Sequence, residues 1–456
     1  MLIDGHLGIV VLFRERVERG ILVLKRKILK ELDAWKSKRD RKCLVVQGAR
    51  QVGKTFAIRE YAKNTYKKTI EINFKETPDA AEIFTGNLNV ENMLRALRFR
   101  YPGVKLSEGQ TLLFLDEIQE CPEAITSLKF WTQYGKLDVI ASGSMLGIDY
   151  KRSSSYPVGY VEFLKMYGLD FEEFLWAVGV SESDISELRE MFENRKVVQP
   201  AVHTVMMNHF RTYMALGGMP EVVNTYVTGK DFSPVDRVQK ELLQGYLYDI
   251  VHYATAEEKI KAEKCFISLS KQLLNKENRK FQYKEIETGA RAQKYYSSID
   301  WLMRADIVRL SNYVNKLEYD LEDYSDSSHF KVYTSDLSLL IAMRDFAFKQ
   351  HVIENSLAGT TKGGIYECAI ADCLIKKGYR LFYYKNETTK RELDFVIQKG
   401  GKVVPIKVKA GNNRADSLNK YMEKSKIDMA YKFIDGNVGS TEERIVTMPH
   451  YMVMFV

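Results

Sequence analysis

The chain has 456 residues, 45% apolar and 28% charged, more than one ordinary core absorbs, so about three globular domains are expected. Its 68 basic and 60 acidic residues leave a formal charge of +8, which permits nucleic-acid contact without demonstrating it. No apolar run approaches the roughly 20 residues of a bilayer span, and five cysteines and seven histidines lie scattered without ligand spacing, which argues against a membrane protein, a disulfide framework or a structural metal.

Taken in chain order, the opening "MLIDGHLGIVVLFRERVERGILVLKRK" has an apolar patch but no early basic region and no small-residue cleavage site. It reads as cytoplasmic rather than secreted. Leu24, Ile28, Leu29, Leu32 and Trp35 form one helical stripe where the fold begins, so residues 1–23 read as an extension, disordered or a misassigned start.

The segment "KCLVVQGARQVGKTFAIREYAK" (42–63) gives a β-rich run, a glycine-bounded loop and an amphipathic helix, the context that a G-x-x-x-x-G-K-T phosphate loop requires. Gly48, Ala49, Arg50, Gln51, Val52, Gly53, Lys54, Thr55 and Phe56 would cradle the phosphates of ATP with backbone N–H groups at a helix N-terminus. Lys54 would neutralise the β- and γ-phosphates and Thr55 would hold Mg²⁺. "KKTIEINF" (67–74) reads as a second strand, and "TLLFLDEIQ" as a third that delivers Asp116 to the magnesium and Glu117 as the base polarising the attacking water. A fourth, "LDVIASGS" (137–144), ends on Ser142 and Ser144, either a γ-phosphate sensor or turn serines. Strands alternating with helices imply an α/β fold with a parallel P-loop sheet.

"GARQVGKT", "FLDEIQECP" and "IASGSMLG", followed by "YPVGYVEFLKMYGLDFEEFL" and "YMALGGMPEVV", resemble in that order a family of archaeal and bacterial AAA+-type P-loop ATPases. The likeness runs from about residue 24 onward and implies ATP binding. Such ATPases often complete their site with an arginine from a neighbouring subunit. Arg152 in "DYKRSSS" is either that finger, which would require a homo-oligomer, or a solvated loop arginine.

The expected domains are the ATPase core over 24–170, a helical lid over 171–234, a winged-helix-like domain over 235–325 and a nuclease-like α/β domain over 326–456. In "KFQYKEIETGARAQKYYSSIDWLMRADIVRLSNYV" (280–314) a short helix, a glycine turn at Gly289, a second helix and a strand-like run suggest the winged helix. Lys280, Lys284, Arg291 and Lys294, with Tyr295 and Tyr296, are candidate DNA contacts there, although such domains also serve as spacers or protein contacts. The last segment places Glu367 on a helix, Asp394 on a strand and Lys409 on the next strand, an order similar to the PD-(D/E)xK nuclease core found at the end of this ATPase family. Cleavage would need a carboxylate two residues before Lys409. That position is Lys407, so the nuclease-like site reads as degenerate.

The leading expectation is an ATP-hydrolysing switch or motor whose C-terminal half binds DNA or a protein partner. The alternatives are an ATP-gated, magnesium-dependent nuclease and a slow-turnover nucleotide sensor.

Overall fold

The computed structural model describes residues 17–18, 21–103, 106–144, 157–254, 257–275, 279–386, 388, 391–411, 416–439 and 444–456. A minimal hairpin of β1 (Val17–Glu18) and β2 (Ile21–Leu22) precedes α1 (Ile28–Lys36). Ile28, Leu32 and Trp35 of that helix are buried, with Leu24 and Leu29 packed beside the same core.

The first half is built from β3 (Cys43–Gln47), α2 (Lys54–Thr65), β4 (Lys68–Asn73), α3 (Val90–Arg100), β5 (Thr111–Asp116), α4 (Pro122–Tyr134), β6 (Asp138–Gly143) and β7 (Val161–Lys165). Its five strands form one parallel sheet in the order β4-β5-β6-β3-β7. The apolar runs of β3, β5 and β6, the inner strands, are continuous rather than alternating because both faces are covered. Leu44, Val46, Leu112, Phe114 and Ile140 pack with Trp35 of α1 and Ile58 of α2. Val45, Leu113, Leu115, Val139 and Ala141 face the other way, onto Leu97 of α3 and Trp131 of α4.

Seven helices follow: α5 (Phe171–Ala177), α6 (Glu182–Glu193), α7 (Pro200–Leu216), α8 (Pro220–Gly229), α9 (Phe232–Tyr253), α10 (Lys259–Leu274) and α11 (Ala292–Arg304). Asp170 and Ser181 start α5 and α6 with reciprocal capping boxes. Next come β8 (Val308–Val314), β9 (Ser325–Thr334), α12 (Leu337–Ala342), α13 (Phe346–Ile353), α14 (Gly359–Lys376), β10 (Leu381–Lys385), β11 (Glu392–Lys399), β12 (Lys402–Val408), α15 (Asp416–Lys424), β13 (Ala430–Ile434) and β14 (Ile445–Pro449).

The second sheet runs across the border expected at 325/326. Its seven strands run β14-β13-β12-β11-β10-β8-β9, with β8 antiparallel to β9 and parallel to β10. The strand-like run expected to complete a winged helix, β8, is therefore part of the C-terminal sheet and pairs there with β9 in a hairpin. A hairpin's residue pattern is the same whether it stands as a wing or extends a larger sheet, so the sequence alone does not assign it.

The parts meet at a buried polar junction. The Lys376 ammonium on α14 donates to Asp336 Oδ2 (2.6 Å), to the Tyr213 hydroxyl of α7 (2.9 Å) and to the Leu169 carbonyl (3.1 Å), and it lies 2.9 Å from Asp372. The Leu169 N–H donates to the Gly218 carbonyl at 2.6 Å. All five cysteines are buried and unpaired. Among the described residues, no helix is long and apolar enough to cross a membrane.

Candidate nucleotide site and the nuclease-like site

The phosphate loop lies between β3 and α2, at the C-terminal edge of the parallel sheet. Gly48 cannot carry a side chain, because a Cβ there would come within 2.1 Å of the Met166 carbonyl. Gln51 at φ +61° and Gly53 at φ +91° curl the loop before the helix begins at Lys54. The Lys54 ammonium folds back onto the carbonyls of Gly48 (3.0 Å) and Ala49 (2.8 Å). Burial pushes this lysine down to about 8, against the pull of Glu117 and Asp116. Phe56 is exposed, which leaves its backbone rather than its ring to serve the loop.

Below the helix, the Thr55 hydroxyl donates to Asp116, with its oxygen 3.0 and 3.2 Å from the two carboxylate oxygens. Ser142 also donates to Asp116, and so does the Asn73 amide at 3.1 Å. Strand order explains this gathering: β6, bearing Ser142, lies between the loop strand β3 and the Asp116 strand β5, and Asn73 is the register partner of Asp116. Burial raises the Asp116 pKa and the Ser142 and Thr55 hydrogen bonds oppose the rise. A hydroxyl beside a carboxylate is a donor set that suits Mg²⁺.

Glu117 takes a left-handed backbone, φ +52°, and accepts a hydrogen bond from the Gln119 amide. Such strain in a non-glycine residue recurs at functional sites. Ser144 lies one residue past β6, buried, and its hydroxyl has no partner among the described residues. Arg152 lies outside the described residues.

Several contacts carry no local sequence signal. Arg26 donates to the Val52 carbonyl (2.9 Å) and the Tyr167 carbonyl (2.6 Å), bracing the loop from beneath. Arg50 pairs with Asp249 of α9 and donates to the Tyr253 hydroxyl at 2.7 Å, while the Tyr246 hydroxyl donates to the Arg50 carbonyl at 2.8 Å. Asn73 could have been found, because it ends its strand at the same edge as Asp116.

The nuclease-like residues do converge. Asp394 on β11 accepts from Lys407 Nζ (2.7 Å) and from the Val408 N–H (2.7 Å) across the β11–β12 ladder. Glu367 on α14 accepts from Lys331 Nζ (3.0 Å), the Tyr333 hydroxyl (2.9 Å) and Arg279 (2.8 Å). Lys331 also reaches Glu392 at 2.6 Å. Burial alone would raise the Glu367 carboxyl, but Lys331 and Arg279 hold it down at about 2. Three carboxylates thus face three cations. Among the described residues, no acid, histidine or cysteine cluster could hold a metal ion. Lys409 lies one residue beyond β12, and its N–H donates to the Phe433 carbonyl at 2.9 Å.

The expected DNA-contact residues lie around the turn before α11. Lys284 is in a short 3₁₀ turn (Tyr283–Glu285), Arg291 precedes α11, and Lys294 in its first turn pairs with Glu287 at 2.6 Å. Lys280, just ahead of the turn, is half-buried. Tyr296 is 48% exposed, but Tyr295 is buried and packs in the core, so only one of the two rings could meet a ligand.

Residues 40–175 match the family model described as an AAA domain. Residues 207–350 and 362–453 match models described as Domain of unknown function (DUF8612) and Domain of unknown function (DUF4143). No curated protein matches the chain. Solved structures with some similarity include the Walker-type ATPase PABY2304 of Pyrococcus abyssi, at 12% identity over 71% of this chain and 96% of that one, TM-score 0.41. Others are the Aeropyrum pernix ORC1 protein in complex with DNA (13%, 73% and 93%, 0.29) and AMPPCP-bound DnaA from Aquifex aeolicus (14%, 60% and 86%, 0.26). The family match and the phosphate loop together define an ATP-binding, AAA-type P-loop ATPase domain, with two domains of unknown function behind it.

Proposed function

We propose that this protein is an ATP-hydrolysing switch whose nucleotide state is passed to its C-terminal half, which binds DNA or a protein partner. The observation that carries the reading is the cluster of Thr55, Ser142 and Asn73 around the Asp116 carboxylate, directly beneath the helix that starts at Lys54. Lys54 leaves the loop carbonyls for the β- and γ-phosphates. Thr55 and Asp116 hold Mg²⁺, which when bound supplies charge neutralisation of the phosphates. Glu117 orients and deprotonates the attacking water, and Ser144, with its unpartnered hydroxyl, feels the γ-phosphate beside Ser142. Arg152 serves as the finger in trans, which makes the active form a homo-oligomer. Residues 171–234 act as the lid, and the region around α11 is a winged helix whose Lys280, Lys284, Arg291 and Lys294 contact DNA.

The nuclease-like region is a retained fold without cleavage. Lys407 supplies a cation where a metal ligand would stand, and its pairing with Asp394 supports this reading. The slow-turnover sensor gains support from Gln119, whose hydrogen bond engages the Glu117 base.

The test is steady-state ATP hydrolysis with Mg²⁺, with and without single-stranded and duplex DNA. Lys54→Ala should abolish turnover. Glu117→Gln should keep nucleotide affinity and lower turnover by about 10²-fold or more; unchanged turnover in either variant overturns the reading. Stimulation by DNA supports a DNA partner, and turnover indifferent to DNA moves the reading to a protein partner.

A further inference from the structure

A cavity of about 250 Å³ opens where the end of β10, the start of β11 and helix α15 meet, well away in the chain from the phosphate loop. Leu393, which helps line it, leaves β11 on the face opposite to Asp394, so the cavity shares only Glu392, at the start of the strand, with the nuclease-like cluster. Two aromatic rings stand in its wall, Tyr384 and Tyr421, edge to face with centroids 5.4 Å apart. Two cations share the lining, Arg391 and Lys420. Among the described residues neither has an acidic partner. The wall's own carboxylate, Glu392, is committed to Lys331 at 2.6 Å and does not neutralise them. Ser417 adds a hydroxyl.

An aromatic wall with positive charge and a hydroxyl beside it matches a ligand that is aromatic at one end and anionic at the other. The volume lies just under the about 300–1,000 Å³ of pockets that enclose a whole drug-sized ligand, so it suits one unit of such a ligand with the remainder outside. A base paired inside a duplex presents no free face to stack, whereas a single strand does. We propose that this cavity binds one nucleoside phosphate unit, its base against Tyr384 and Tyr421 and its phosphate against Arg391, Lys420 and Ser417. The unit is either a free mononucleotide or part of a single strand. This deepens the nucleic-acid side of the proposed function and does not depend on the ATPase chemistry.

The experiment is fluorescence anisotropy of labelled (dT)₁₀ with the full chain, the phosphate loop saturated by a non-hydrolysable ATP analogue and Mg²⁺, and with thymidine monophosphate as competitor. Tyr421→Leu and Arg391→Gln should each weaken binding about tenfold or more, the scale of one lost stack or one lost phosphate contact. Lys420→Gln should weaken it several-fold and flatten its salt dependence. Displacement of the strand by thymidine monophosphate identifies the free unit as a ligand; no displacement identifies the strand. Arg391→Gln removes only a surface charge, so it decides the matter if Tyr421→Leu does not fold. Affinity unchanged in all three variants overturns the proposal, as does failure of both probes to bind. Loss confined to Lys284→Gln and Arg291→Gln also overturns it, while leaving a DNA-binding role for the α11 region intact.

Discussion

Lys54 is buried, rests on two backbone carbonyls and titrates near 8 in place of the usual lysine value of 10.5. Nucleotide phosphates favour the charged form, so ATP affinity should hold between pH 6.5 and 7.5 and fall as pH rises through about 8, by up to tenfold per unit. Titration calorimetry at three pH values checks this. The stability of the nucleotide-free protein has the opposite trend, since between about 8 and 10.5 the unfolded chain binds more protons and folding gains as pH rises. In the C-terminal half, Lys407 neutralises Asp394 from 2.7 Å. Lys407→Glu would bring a second carboxylate beside Asp394 and should destabilise the protein by roughly 3–5 kcal/mol. Mn²⁺ or Mg²⁺ should then raise the melting temperature of the variant by more than that of the parent, which shares only the Thr55–Asp116 site. Glu367, Asp394 and Lys407 were legible in the sequence because they follow the order of elements in a PD-(D/E)xK-like core. The sequence was silent on Lys331 and Arg279, which complete the charge balance from another strand and another loop.

Among the elements, α7, the Gly217–Gly218 turn, α12 and α14 share the Lys376 junction. A Cβ on Gly218 would meet the Leu169 carbonyl at 2.0 Å and the Lys376 ammonium at 2.5 Å. Gly218→Ala should therefore cost about 2–4 kcal/mol in urea unfolding, through displacement of backbone rather than of a pliant side chain. Lys376→Met leaves Asp336 and Asp372 buried without their cation and should cost roughly 3–5 kcal/mol. The strands β3, β5 and β6 were legible because each is an apolar run ending at a turn or a functional residue, and β4 because Ile70 and Ile72 alternate with polar residues. β7 was not, since its "VEFLK" lies on a sheet edge with only Val161 buried and includes two charges. Only its place in a family-like segment marked it.

Across the whole molecule, the phosphate loop is bolted to α9 through Arg50, Asp249 and Tyr253, and α9 packs in turn on α8, α10 and α12. Unfolding of Arg50→Ala, Asp249→Ala and the double variant should give a coupling energy of about 1–3 kcal/mol, and additivity would mean that the loop and the helix are held independently. This link joins residues 199 apart and leaves no trace in local pattern. The place of the P-loop core in the chain was readable from motif; which strand pairs with which across a presumed border was not. That border has a practical side. A fragment ending at residue 325 would keep β8 but lose β9 and β10, its partners on both sides, and a fragment starting at 326 would leave β10 with a bare edge. Two open strand edges invite aggregation, so limited proteolysis and recombinant dissection should yield soluble pieces when the cut falls ahead of β8 and insoluble ones when it falls between β8 and β10.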